Sequence, residues 1–184
     1  MSNVIDILVI IDAQSIMRDF NIINSSPDAP TVIPGSDKYI YMLTRPEYVK
    51  QGQGSSHLYI NAKNGDVIRW RGVSLSKDSE YSAALLNLHS VLSNDASTFF
   101  AAPVVKPLHS YIPVLKSDNP VVNPDLLDVD IQPTVNYYWE TSVKQMPPPG
   151  GAVTEHYTFK VGIYDNGVLK GYVTWDPGIV LSNN

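Results

Sequence analysis

The stretch "VTEHYTFKVGIYDNGVLKGYVTW", residues 153–175, constrains the fold more than any other part of the chain. Val153, Tyr157, Phe159, Val161 and Ile163 fall on one face of an extended strand, and Thr154, His156, Thr158 and Lys160 fall on the other. A period of two is what a half-buried strand needs, because successive side chains leave opposite faces. No apolar stripe of 3.6-residue period runs for three turns anywhere, so the chain reads as all-β. A two-residue Asn166-Gly167 turn would set the apolar face against Lys170, Tyr172 and Thr174. A three-residue loop, Asp165-Asn166-Gly167, instead sets Ile163 against Leu169, Phe159 against Val173 and Tyr157 against Trp175, with glycine at the left-handed bulge position. The expectation is a bulged hairpin with Gly167 at positive φ and Trp175 in the core beside Tyr157.

The same device recurs in "HLYINAKNGDVIRWRGVSL", residues 57–75. A Lys63-Asn64-Gly65 loop pairs Ile60 with Ile68 and Leu58 with Trp70, with Gly65 at positive φ. Val73 and Leu75 are then out of phase with Trp70, which predicts a bulge near Gly72 and leaves Arg69 and Arg71 pointing outward. Further strands are expected at 4–12, 38–44 and 134–144, the last alternating Val135, Tyr137, Trp139, Thr141 and Val143. "YSAALLNLHSVL", residues 81–92, fits strand or short helix equally. Pro103, Pro107, Pro113, Pro120, Pro124 and Pro133 exclude a long helix from 101–133 and leave edge strands or ordered loops, and "MPPPGG" at 146–151 reads as a loop. Successive hairpins of this kind predict an antiparallel two-layer β-sandwich, jelly-roll-like with little helix, as one domain over residues 1–184.

Composition narrows the function. Hydrophobic residues make up 43% of the 184 and charged residues 17%, which suits a folded core and not a disordered chain. The net charge of -5, with 13 Lys and Arg that do not cluster, supplies no positive field for phosphates, so nucleic acid is not expected as a partner. The chain has no cysteine, which removes disulfides, thiolate nucleophiles and the common structural zinc sites. The opening apolar run is interrupted by Asp6, ended by Asp12 and shorter than the roughly 20 residues of a membrane span. These features read as a cytoplasmic protein without a membrane segment, with export by an unclassical route left open.

No recognised catalytic constellation emerges. "ILVIIDAQSIMRDF", residues 7–20, resembles the start of isochorismatase-like hydrolases, in which the aspartate works with a lysine and a nucleophilic cysteine. The cysteine is missing, no glycine-rich phosphate cradle follows, and Asp12 is better placed to cap the next turn. His57, His89, His109 and His156 show no ligand spacing, so no metal or other cofactor is expected. Asp125, Asp128 and Asp130 could supply oxygen to calcium but lack the EF-hand glycine and glutamate, and are read as solvated loop carboxylates. Trp70, Trp139 and Trp175 are in phase with apolar neighbours and are assigned to the core. The competing reading is stacking of exposed aromatics on a carbohydrate, as in a lectin-like module.

Three segments in order, "IDILVIIDAQSIM", "GDVIRWRGVSLS" and "HYTFKVGIYDNGVLKGYVTWDP", resemble the signature segments of the inclusion body protein family that includes PixA and AidA. The resemblance spans nearly the whole chain. Asp12, Trp70, Arg71, Trp175 and Asp176 stand at the family-typical positions and are the candidate binding residues. The resemblance implies a non-catalytic bacterial protein that accumulates to high level, often under cell-density control in host-associated bacteria. A protein that collects in inclusions is further expected to form homo-oligomers, with the free edge strands of a sandwich as the pairing surface. Two departures stand out: only four methionines, which gives no support to sulfur storage, and Gly178 where an aromatic residue often follows the "WDP".

Overall fold

Val4–Ile11 shows how the alternation is spent. Ile5, Ile7, Val9 and Ile11 are almost wholly buried while Asp6 and Leu8 face outward, and this is the first strand, β1. Asp12 ends it. Its backbone N–H donates to the Tyr39 carbonyl at 2.7 Å, and its carboxylate accepts the Ser15 N–H at 3.0 Å, starting the short helix α1 (Ala13–Asp19). The computed structural model describes residues 2–23, 25–90, 98–117, 119–120, 122 and 125–183. The remaining strands are β2 (Thr31–Val32), β3 (Ile40–Leu43), β4 (Val49–Gln51), β5 (Tyr59–Ala62), β6 (Val67–Ser74), β7 (Tyr81–Ser90), β8 (Val104–Leu115), β9 (Val129–Ser142), β10 (Ala152–Asp165), β11 (Val168–Thr174) and β12 (Gly178–Ser182). The ambiguous 81–92 stretch is strand as far as Ser90, and Val91, Leu92 and Pro124 lie outside the described residues.

Two sheets face each other. One runs β3-β1-β6-β9-β8, and the other runs β2-β11-β10-β12-β5-β4 with β7 on the opposite side of β10. The sandwich is as expected, but the sheets are mixed, not antiparallel: β1 with β6, β12 with β5 and β11 with β2 are parallel pairs. The cause is the segment 57–75. It is not a hairpin, because β5 joins β12 in one sheet and β6 joins β1 in the other. Gly65 does take a positive φ of 84°, yet its turn is a corner between layers. The buried carboxylate of Asp66 holds that corner by accepting the Lys63 N–H at 2.9 Å and the Asn3 N–H at 2.8 Å. Nor is there a bulge at Gly72. The β1–β6 register runs unbroken from Val67 to Ser74, so Gly72 and Ser74 continue the inward row while Leu75 is exposed. A glycine is needed because a Cβ at 72 would lie 2.8 Å from Cγ of the buried Leu85.

The second hairpin also corrects its expected register. Asp165 pairs with Val168 across a two-residue turn with Asn166 at φ 48° and Gly167 at φ 76°, the left-handed pair of a type I′ turn. The phase conflict is resolved farther along, by a bulge at Lys170 that sets Ile163 against Gly171 and Val161 against Val173. Leu169, ahead of the bulge, is left 40% exposed. Beyond it Val173 and Trp175 point inward.

The core is aromatic where the layers meet. Trp70 of β6 donates from Nε1 to the Tyr157 hydroxyl of β10 at 2.9 Å, a buried hydrogen bond that ties one sheet to the other. The rings of Trp70 and Tyr157 are 5.2 Å apart edge to face, and Phe159 stands beside both. Burial pushes the Tyr157 hydroxyl well above the usual phenol range. Trp175 is also buried, but its ring lies on Phe159 at 5.4 Å and not beside Tyr157.

Candidate functional site

The five family-typical residues do not converge on one site. Asp12 is the helix cap, and Trp70 and Trp175 are core. Trp175 Nε1 is buried with no hydrogen-bond partner among the described residues. Arg71 lies on the outer face of β6, where it pairs with Asp6 at 2.5 Å and, with Arg69, stacks on the Tyr138 ring. Asp176 is exposed in the link between β11 and β12. The missing aromatic at 178 also has a local explanation. A Cβ on Gly178 would come within 2.7 Å of the Tyr59 ring, which already fills that space.

A second feature lies elsewhere, in β8 and β9, which carry many exposed apolar residues. Their pairing runs unbroken through twelve registers, from Val104↔Glu140 to Leu115↔Val129. Among the described residues only the root of β9 is paired on its other side, with β6, from Trp139 to Ser142. The rest is a two-stranded arm. Odd-numbered residues share its inner face, the side on which Trp70 and Trp139 pair: Val105, Pro107, His109, Tyr111, Pro113 and Leu115 opposite Trp139, Tyr137, Val135, Pro133, Ile131 and Val129. No carboxylate, lysine or arginine stands among them. Tyr111 is 73% exposed, Val135 65% and Ile131 58%. The arm's charges, Lys106, Asp130 and Glu140, belong to the outer face.

The arm is anchored at its root. Tyr137 Oη and Trp139 Nε1 both donate to the Leu85 carbonyl, at 3.1 and 2.7 Å, next to a bulge that leaves Leu86 without a partner on β10. Trp139 is thus only half-buried, less than the core position expected for it. Burial raises the Tyr137 pKa above the ordinary phenol value. On the outer face Glu140 accepts from Arg69 at 2.8 Å and from Lys106. Burial disfavours its charged form, but those two hydrogen bonds outweigh burial and hold its pKa below the ordinary carboxylate value. A recess of about 240 Å³ opens beside this root, lined by Gly72, Asp78, Ser82, Asn136, Tyr137 and Tyr164 among others. Asp78 of its lining and the preceding Lys77 both have positive φ, 57° and 56°, and Asp78 is held by reciprocal hydrogen bonds with Ser74.

At the arm's tip Asp128 pairs with Lys116 at 2.7 Å, and among the described residues no three acidic or histidine side chains gather as a cation site. Among the described residues no helix is long and apolar enough to cross a membrane. Only Val135, Tyr137 and Trp139 of the arm's inner row were visible as alternation; much of the rest was hidden by its prolines, although the absence of charge from every odd position between 105 and 115 is a signal in the sequence itself.

The profile of the PixA inclusion body proteins matches residues 3–181, almost the whole chain. The chain belongs to the PixA inclusion body protein family. A crystal structure of an inclusion body protein (PixA) from Burkholderia cenocepacia J2315 superposes on this chain with a TM-score of 0.75 at 20% identity, covering 98% of this chain and 97% of that one. At that identity the likeness concerns the sandwich fold this PixA-family chain shares with it. No curated protein matches.

Proposed function

We propose that this PixA-family chain is a non-catalytic protein that accumulates in the cytoplasm and associates with itself there. The exposed inner face of the β8–β9 arm, mostly apolar and without lysine, arginine or carboxylate, carries the reading. A contiguous apolar surface of this kind marks a site of association in an otherwise well-packed protein. Cell-density control, a role in host association and kinship with AidA-type proteins belong to the same reading and come from the family resemblance. Sedimentation equilibrium tests it: the weight-average mass should rise with concentration, and a protein that stays monomeric at its highest soluble concentration would refute it.

The recess at the arm's root favours a second reading, a carbohydrate-binding module. Asp78, Ser82 and Asn136 could bond hydroxyl groups while Tyr137 and Tyr164 offer ring surface. Its volume falls below the roughly 300 Å³ at which ligand pockets usually begin, which ranks it behind self-association. Calorimetric titration with common monosaccharides is the check, and silence across the set would remove it.

A further inference from the structure

We infer that the self-association partner of this chain is the arm of a second copy, met inner face to inner face, and not a strand added along an open sheet edge. The inference rests on the self-association reading and specifies its surface. β8 is the terminal strand of its sheet, so it would be the obvious place for another chain to add a strand. Pro107 and Pro113 argue against that. They are six residues apart and so direct their backbone nitrogens to the same side, and the unbroken ladder with β9 shows that this is not the side on which a donor is needed. The outer edge of β8 therefore lacks two of its N–H donors.

The inner face has the opposite character. It is the direct continuation of the core face of the five-stranded sheet, which at Trp70 is covered by β10 and at Tyr137 and Trp139 is met by β7, and beyond Tyr137 no described strand of the second sheet pairs or continues across it. Its natural complement is another apolar sheet face. The chain's net charge of -5 would set two copies against each other across a charged surface, but Lys106, Lys116, Asp128, Asp130 and Glu140 are kept off this one, so like can meet like. A twofold axis near the middle of the arm, between the His109↔Val135 and Tyr111↔Pro133 pairs, would bring the most exposed side chains of both copies together. Setting aside Tyr137 and Trp139, which the root anchors, ten side chains remain, half or less of the roughly 20–30 residues per side in a standard interface, so the pairing is weak and becomes populated only as the protein accumulates.

The chain's lack of cysteine makes the test clean. Val135→Lys should lower the association constant at least tenfold in sedimentation equilibrium, while Gln132→Lys, the same charge on the outer face, should leave it within about twofold. An unchanged thermal melt shows that each variant is folded. Val135→Cys should cross-link between copies under an added oxidant, and Gln132→Cys should not. Undiminished association of Val135→Lys, or equal cross-linking from both cysteine positions, overturns the face-to-face pairing while leaving self-association standing on another surface. A wild-type protein that is monomeric at every concentration overturns both. A monomer that binds neutral phosphatidylcholine vesicles through Val135 would give the face to lipid and likewise overturn the pairing.

Discussion

Trp70 and Ile131 lie on the same face of the same sheet, and one is 1% exposed while the other is 58% exposed. The root of the five-stranded sheet and its arm share the period-two pattern, with apolar residues at most inward positions of both. They differ in whether a second layer lies opposite. At the root β10 supplies Tyr157 and Phe159; along the arm, among the described residues, no strand does so. Alternation thus records which side chains share a face and leaves open what that face is for. In one place it makes a core, and in the other an exposed face.

The sharpest contrast is truncation at each end. Trp70→Ala should cost about 3–5 kcal/mol, the usual loss for a buried aromatic with its cavity, whereas Ile131→Ala should shift stability by no more than about 0.5 kcal/mol. Denaturant melts of the two variants measure this, and equal losses would mean that the arm is packed. Gly72→Val probes the border, where β6 loses β9 as a neighbour. With Leu85 Cγ 2.8 Å from the new Cβ and no room to retreat, overpacking should cost about 1–3 kcal/mol; an unchanged melt would show that β7 can slide at the root of the arm.

A third comparison separates two buried tryptophans. Trp70→Phe and Trp175→Phe remove the same ring volume, but only the first deletes a hydrogen bond and strands a buried tyrosine hydroxyl. Trp70→Phe should therefore be about 1–2 kcal/mol the more costly in chemical denaturation. A Trp175→Phe variant that is equally harmful would reveal a partner for its Nε1. The smallest effect concerns Glu140, where root and arm join. Its folded pKa is lowered, so its contribution is fully present above the unfolded glutamate value of about 4.3 and is lost as pH falls through the folded value. Its partners are part-exposed, which limits that contribution to about 1 kcal/mol. Stability measured from pH 7 to pH 3 should fall less steeply in Glu140→Gln than in the wild type.

Local chemistry was legible in the sequence wherever the cause was local. The alternation at 153–163 gave β10, Asp12 caps the turn that follows its own strand, Gly65 and Gly167 take the positive φ their turns demand, and Trp70 and Trp175 enter the core with which they are in phase. The family was legible too, because three ordered segments carry it. What only the tertiary structure decided is which sheet each strand joins and which faces are covered. Residues 58–70 look like a hairpin because their pattern reports inward and outward positions, and that pattern is the same whether β5 and β6 pair with each other or face each other across the core. The phase of 153–175 was restored by a bulge at Lys170 and not by the turn. The arm is the extreme case: apart from Pro107, His109, Pro113 and Pro133 its inner row carries the residues of a core strand, and whether a second layer lies about 10 Å away is a property of the folded molecule alone.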